Sequence, residues 1–238
     1  VGSEMCIRDS PEVAFEGFKS GEYFFRAENK ARTWSTGYNF SAVKAGMITK
    51  AQIANNNPVP MQAIVMNLRR PIFQDIRVRQ AMTLAYDFEW LNKTMFYGQY
   101  ERLQSFFHGS ALAATGTPTP QELAVINPLL SDLEPIQRQA VLSDWQAPKS
   151  TGDGFNRDNL LKARELLLQA GFKYQNMKLY QPNGQPAKLE FLSADDKNAR
   201  IVLPFLRNLQ RLGFDASFRQ ADVPVSYTHL TLPTKRIV

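Results

Sequence analysis

Cysteine and histidine are almost missing from this chain: Cys6 is the single cysteine, and His108 and His229 are the two histidines in 238 residues. One thiol closes no intrachain disulfide, and so small a donor set builds no Cys/His zinc site. Long apolar runs are missing too. The best of them, Ala63–Met66, falls far short of the ~20 residues that a membrane-spanning helix needs. No P-loop or Gly-x-Gly-x-x-Gly pattern occurs, since Gly152 and Gly154 flank Asp153 in a loop without the helix those motifs open. No Gly-x-Ser-x-Gly elbow occurs either. Ser105, His108 and Ser110 stand too close together in one loop to adopt a catalytic-triad geometry. There is no internal repeat and no strong charge run. The formal charge is +6, but Lys and Arg are spread along the chain without a basic run beyond Arg69-Arg70 and without a nucleic-acid reader motif. That argues for a solvated mixed-charge surface and against nucleic acid as a partner. What is present in quantity is apolar and aromatic surface, at 44% and 11% of residues, which is too much for a disordered chain.

Both ends are set aside before the rest is read. VGSEMCIRDS at 1–10 and VSYTHLTLPTKRIV at 225–238 resemble translated sequencing-adapter read-through and are treated as tags would be. Cys6 and His229 lie inside these strings, so residues 11–224 hold no cysteine and one histidine, and their formal charge is +5. The expectation is an internal fragment of a longer protein, with residues 11–224 forming part of one domain. Its ~210 residues suffice for one large domain or lobe with a sizeable core.

Punctuation along the chain predicts the elements. Pro11–Gly21 reads as a helix stopped at Gly21, and Tyr23–Ala27 (YFFRA) as a short strand. Trp34 and Tyr38 stand at helical spacing. NNNPVP at 55–60 is turn-rich, and Met61–Leu68 (MQAIVMNL) reads as a mostly buried strand. Asp75 is placed to cap a helix carrying Ile76, Val78, Met82 and Ala85. Asp87 is placed to cap a second, with Glu89 in its first turn, Leu91, Met95 and Phe96 on one side, and Gly98 as its stop. Gln104–Pro120 is a loop, and Leu123–Trp145 holds short helical pieces broken by Pro128 and Pro135. After the break at Lys149–Asn156, Arg157–Ala170 reads as a helix with Leu160, Leu161, Leu167 and Leu168 on one side and Gly171 past its end. Pro182-Asn183-Gly184 predicts a tight turn between strands at Met177–Gln181 and Ala187–Ser193. A helix at about Asp196–Leu212, with Pro204 kinking it or delaying its start, and a strand at Phe214–Arg219 complete a crossover between parallel neighbours. The sum is a mixed α/β layer. The carboxylate pairs Asp87/Glu89 and Asp195/Asp196 lie at helix starts and read as caps rather than an acid–base pair. His108 reads as a surface loop residue. Asn39-Phe40-Ser41 and Asn92-Lys93-Thr94 match a glycosylation pattern that is common by chance.

One stretch is far more specific than the rest. Arg69–Gly98, RRPIFQDIRVRQAMTLAYDFEWLNKTMFYG, together with Asn67, resembles the signature block of the family 5 solute-binding proteins, the extracytoplasmic peptide receptors of ABC importers. The matching positions are Asn67, Pro71, Phe73, Asp75, Arg77-Val78-Arg79-Gln80-Ala81 and Asp87. Ala170-Gly171-Phe172 before the hairpin and Leu212-Gly213 before the last strand resemble the family's C-terminal lobe in the right order. FKSGEY, RAENKA and TMFYGQYER are similar to the subgroup that takes up oligopeptides and peptide antibiotics of the microcin C type.

The resemblance implies a type II periplasmic binding protein-like, two-lobed α/β fold, only part of it present, with a mixed sheet flanked by helices. It implies a non-enzymatic, periplasmic or lipid-anchored monomer that closes on an oligopeptide and delivers it to ABC transporter permease subunits. No cofactor, metal or catalytic residue is implied. Strand-like backbone hydrogen bonds would hold the peptide, and wet, roomy pockets would accept varied side chains. Asn67, at the end of the strand entering the loop, is the foremost ligand-binding candidate, and Arg70 could meet a carboxylate. Trp34, Tyr38 and Trp90 read as packing, with Trp34 and Tyr38 kept as candidates for lining a peptide cleft. Arg77 and Arg79 read as scaffold. The alternatives are a receptor of the same fold for nickel, haem or an oligosaccharide, and more distantly an α/β hydrolytic enzyme. Nickel is disfavoured by the scarcity of histidine.

Overall fold

The computed structural model describes residues 10–53, 61–195 and 198–221. The turn at 55–60 and the strings at 1–9 and 225–238 lie outside them, as do Asp196 and Pro224. The described residues fall into two units, residues 10–53 with 92–100, and residues 61–91 with 101–195 and 198–221.

In the first unit, α1 (Pro11–Lys19) starts where Ser10 Oγ accepts the Glu12 N–H at 3.2 Å, with Pro11 supplying a pre-set φ at the first position. Ser10 belongs to the leading adapter-like string, yet it caps this helix. Gly21 follows at φ +80°, as expected for the stop. A single π-type turn (Thr33–Gly37) and α2 (Ser41–Lys44) complete the unit's early part. The strand expected at Tyr23–Ala27 does not form. Nothing described pairs with it, so it has no ladder, and Phe24 stands 97% exposed.

The second unit carries the core. From α3 (Ile76–Ala85) come Val78, Ala81, Met82 and Ala85, and from α7 (Arg157–Gln169) come Ala163 and Leu167; the two helices pack along each other. Alanine at 81, 85 and 163 keeps the facing surfaces small, and each is fully buried. The leucine face expected on α7 is only half right. Leu167 is buried and Leu160 half-buried, but Leu161 and Leu168 are 51% and 47% exposed. The true buried stripe runs Asn159, Ala163, Leu167, a 4-4 spacing in which an asparagine and an alanine stand where leucines were sought.

Beyond α7 the chain forms β1 (Lys173–Gln175), β2 (Lys178–Tyr180), β3 (Lys188–Ser193), α8 (Ala199–Arg211) and β4 (Asp215–Gln220). β1 and β2 are antiparallel about a turn with Asn176 and Met177 at φ 49° and 64°. β3 and β4 are parallel in the register Leu189↔Ala216 and Phe191↔Phe218, which puts those four side chains on one face. The Pro182–Gly184 turn forms, but its hairpin is short: Tyr180 bridges Pro186, the Ala187 N–H donates to Leu179 O at 2.8 Å, and β3 then leaves to pair with β4. α8 begins at Ala199, continues across Pro204, and lays Val202, Phe205, Leu206 and Leu209 on the core. Gly213 at φ +84° stops it. The described strands thus form one small antiparallel and one small parallel sheet, joined by the Tyr180–Pro186 bridge and by the Leu179 N–H donating to Gly213 O at 2.9 Å, in keeping with the mixed α/β arrangement read from the sequence.

The strand expected at Met61–Leu68 is absent as well. No backbone hydrogen bond joins residues 61–66 to another described residue, and Val65 is 76% exposed. An apolar run becomes a strand only where a neighbour completes its ladder. The short helices between Pro118 and Ser143 match expectation: α5 (Pro120–Ile126), a 3-10 turn (Asn127–Asp132) and α6 (Pro135–Leu142).

Candidate functional site

The segment that carries the specific sequence pattern begins at a turn. Asn67 Oδ1 accepts the Arg69 N–H at 3.1 Å, and the Arg70 N–H closes onto Asn67 O at 3.0 Å, an Asx-type turn that uses the side chain as a backbone substitute. Asn67 and Arg70 are both exposed on it, and the Arg70 guanidinium makes no hydrogen bond or ion pair among the described residues. Pro71–Phe73 forms one 3-10 turn that buries Ile72. Arg79 Nη1 donates to the Phe73 and Gln74 carbonyls at 2.7 and 2.8 Å, tying the turn to α3.

Asp75 then caps α3. Its Oδ1 accepts the Arg77 N–H at 2.8 Å, while Arg77 grips the same carboxylate through Nε at 3.0 Å and Nη2 at 2.6 Å. The Arg77 hydrogen bonds hold the Asp75 carboxyl below the usual range. Arg77 Nη1 reaches on to Gln169 O at 2.7 Å, at the end of α7. Arg77 and Arg79 therefore both act as scaffold.

A helix leaves its last carbonyls without intrahelical partners, and α3 solves this with three side chains from distant sequence. Arg102 Nη2 donates to Thr83 O at 3.5 Å, Asn156 Nδ2 to Leu84 O at 2.8 Å, and Asn208 Nδ2 to Ala85 O at 2.9 Å. Burial pulls the Arg102 guanidinium below its ordinary value, opposed by Glu89, Tyr86 and Asp87. The next residue that matters is Asp87, buried at the start of α4 (Phe88–Met95). Its Oδ1 accepts the Trp90 N–H at 3.1 Å, as the capping expectation required, and also the Ser150 hydroxyl at 2.5 Å. Oδ2 is buried and has no partner among the described residues. The Ser150 N–H donates to Glu89 Oε2 at 2.9 Å, and Asn159 Nδ2 donates to Lys149 O at 3.0 Å. The break at Lys149–Asn156 is thus strapped to the corner between α3 and α4. Beside it lies an open cavity of about 210 Å³ lined by Asp87, Trp90, Phe155, Phe205, Arg207 and Arg211. Arg211 is occupied with the Gly154 and Phe155 carbonyls and Asn208 Oδ1.

Trp34 and Tyr38 belong to the other unit. Their rings meet at 6.1 Å, and Tyr38 also contacts Phe15 at 5.2 Å. Lys50 Nζ stands 4.2 Å from the Trp34 ring centre and donates to the Trp34 carbonyl. The Tyr38 hydroxyl lies 3.5 Å from Glu28, and burial followed by that carboxylate pushes its pKa up. The four candidates therefore form two pairs, Asn67 with Arg70 on one turn and Trp34 with Tyr38 in one aromatic cluster. The sequence reading missed Ser150, Asn156 and Asn208. Asn and Ser in loop and helix carry no local signal for a partner some 60 to 120 residues away.

Residues 5–231 match the family model for bacterial extracellular solute-binding proteins, family 5. The chain belongs to that family of solute-binding proteins. It is 39% identical over 211 residues to the uncharacterized protein YejA of Escherichia coli (strain K12), covering 88% of this chain and 34% of that one. It is 37% identical over 223 residues to the "Probable peptide-binding protein YejA" of Agrobacterium fabrum, covering 92% of this chain and 36% of the relative. The chain therefore spans about a third of the length of these relatives. Among solved structures, NikA from Brucella suis, in complex with Fe(III)-EDTA, shares the fold at a TM-score of 0.56 and 16% identity, over 94% of this chain and 38% of that one. The oligopeptide-binding protein AppA from Bacillus subtilis, in complex with a nonapeptide, does so at 0.54 and 17%, over 93% and 36%. The type II periplasmic binding protein fold expected from the sequence is the fold these structures share.

Proposed function

We propose that this chain is part of the substrate-receiving component of an ABC importer, and that its solute is an oligopeptide handed on to membrane permease subunits. The observation that carries this is the 37% identity, over nine-tenths of the chain, to a relative named as a probable peptide-binding protein. The geometry supports it in one respect. Residues 61–66 offer backbone N–H and C=O groups with no backbone partner among the described residues, and they run into the exposed turn of Asn67 and Arg70. A peptide bound by strand addition needs such groups, since its main chain supplies the affinity whatever its side chains are. The place of action is extracytoplasmic, as the family's name implies, and no helix among the described residues is long and apolar enough to cross a membrane. The role is binding, not catalysis.

The competing reading, a receptor of this fold for nickel, haem or an oligosaccharide, draws on the likeness to NikA, which at 16% identity concerns the fold alone. Among the described residues no three His, Cys, Asp or Glu side chains converge to hold a metal ion. The test is hydrogen exchange at residues 61–70 of the full-length protein containing this chain, with a defined nonapeptide, a nickel chelate and an oligosaccharide offered separately. Protection of these amides by the peptide alone is expected. Protection by either other solute, with none from the peptide, overturns the reading.

A further inference from the structure

The chain leaves the core at Leu103 and returns at Ala147, and the two ends of this excursion are held together. The Ala147 N–H donates to Gln104 Oε1 at 2.8 Å, and Arg102, half-buried over the Tyr86 ring, donates to Pro148 O. Between these pins, from Leu103 to Gln146, not one residue is buried. That stretch is nevertheless ordered by its own caps. Thr119 and Glu122 form a reciprocal capping box, and Glu134 pairs likewise with Gln137. It displays Phe106, Leu112, Val125, Leu129 and Trp145 to solvent, Leu112 at 73% and Trp145 at 50%. Apolar side chains left in solvent on a stretch pinned at both ends offer contact area to a partner.

Its charge narrows the partner. The arm carries four carboxylates, Glu122, Asp132, Glu134 and Asp144, against one guanidinium, Arg138, a formal charge of −3 in a chain of +6. Arg138 spends its donors on the Leu130 and Leu133 carbonyls. None of the four carboxylates forms an ion pair among the described residues. Unpaired carboxylates interspersed with exposed apolar side chains complement a chain that interleaves ammonium or guanidinium groups with apolar residues.

We propose that the arm from Leu103 to Gln146 is a docking surface for basic, apolar peptides, and so biases this receptor toward that class of ligand. This rests on the peptide reading above and adds to it a charge preference and a place. A lysine–leucine–phenylalanine heptapeptide and its glutamate counterpart would be titrated calorimetrically into the 238-residue chain and into its Asp132→Asn/Asp144→Asn variant, both checked for folding by circular dichroism. Both substitutions are at exposed positions outside the two capping boxes. The basic peptide should bind, shift the Trp145 emission, and lose about two- to fivefold in affinity per carboxylate removed, with further weakening in salt. If both peptides bind equally and the variant behaves as the parent, the peptide reading stands and the arm proposal falls. If neither binds this chain, the arm proposal falls, and the peptide reading is decided separately by the exchange measurement on the full-length protein. Self-association in sedimentation velocity that the variant abolishes would identify a second copy as the occupant and overturn the proposal.

Discussion

Gly213 and Gly184 share a backbone conformation, at φ +84° and +82°, but not a neighbourhood. A Cβ on Gly213 would stand 3.0 Å from Leu179 N and from Met177 O, whereas one on Gly184 meets nothing within 4 Å. Gly184→Ala should therefore cost about 1 kcal/mol, the left-handed backbone penalty alone. Gly213→Ala should cost about 2–4 kcal/mol, since backbone rather than a mobile side chain must give way. Urea unfolding of the two variants measures the difference, and equal losses would refute the steric account. Asp75 makes the second residue-scale case. Asp75→Ala removes a cap and should cost about 1 kcal/mol or somewhat more, while Asp75→Asn keeps an acceptor for the Arg77 N–H and should cost less. The folded-state pKa of Asp75 lies below its unfolded value, so its contribution is present above the unfolded value, about 3.9, and is lost as pH falls through the lower folded value. Acid titration of the Asp75→Asn variant should show a shallower loss of stability below about pH 4 than the parent.

At the scale of the element, α3 and α8 show which sequence signals suffice. Asp75, Asp87, Gly98, Gly171 and Gly213 all stand where helices start or stop as read, because capping and positive φ are decided within a few residues. The C-terminal carbonyls of α3 are different. Their partners come from Arg102, Asn156 and Asn208, and no window of sequence around α3 could have named them. Asn208 is buried, so Asn208→Ala should strand Ala85 O without a donor and cost about 1–3 kcal/mol. Asn208→Asp, which removes the donor but nearly keeps the volume, should cost at least as much. Leu209→Ala, at a fully buried position of the same helix, should cost about 2–5 kcal/mol, against little for Leu168→Ala on the exposed side of α7. Thermal denaturation of these four variants orders the effects, and a neutral Asn208→Ala would refute the carbonyl role.

On the scale of the whole molecule, the chain spans about a third of the relatives it matches. Two apolar segments read as strands, Tyr23–Ala27 and Met61–Leu68, have no ladder partner among the described residues and lie open to solvent. The isolated 238-residue chain should therefore bind an oligopeptide no more tightly than the micromolar range, and calorimetry giving submicromolar affinity would refute that. In the isolated chain the amides of residues 61–66 should exchange freely, and in the full-length protein they should gain protection when the peptide is bound.

The sequence by itself determined the family, through one contiguous signature, and most helix ends, because capping, turn conformation and 3.6-residue spacing act between near neighbours. It determined the β3–α8–β4 crossover for the same reason, since the turn at Pro182–Gly184 precedes β3 and Gly213 separates α8 from β4. Only the tertiary structure decided whether an apolar run became a strand, which leucines of α7 went inward, and which side chains took up the carbonyls of α3 and the carboxylate of Asp87. Those outcomes depend on a partner far away in sequence. A ladder, a packed face or a buried hydrogen bond exists only when its second half arrives.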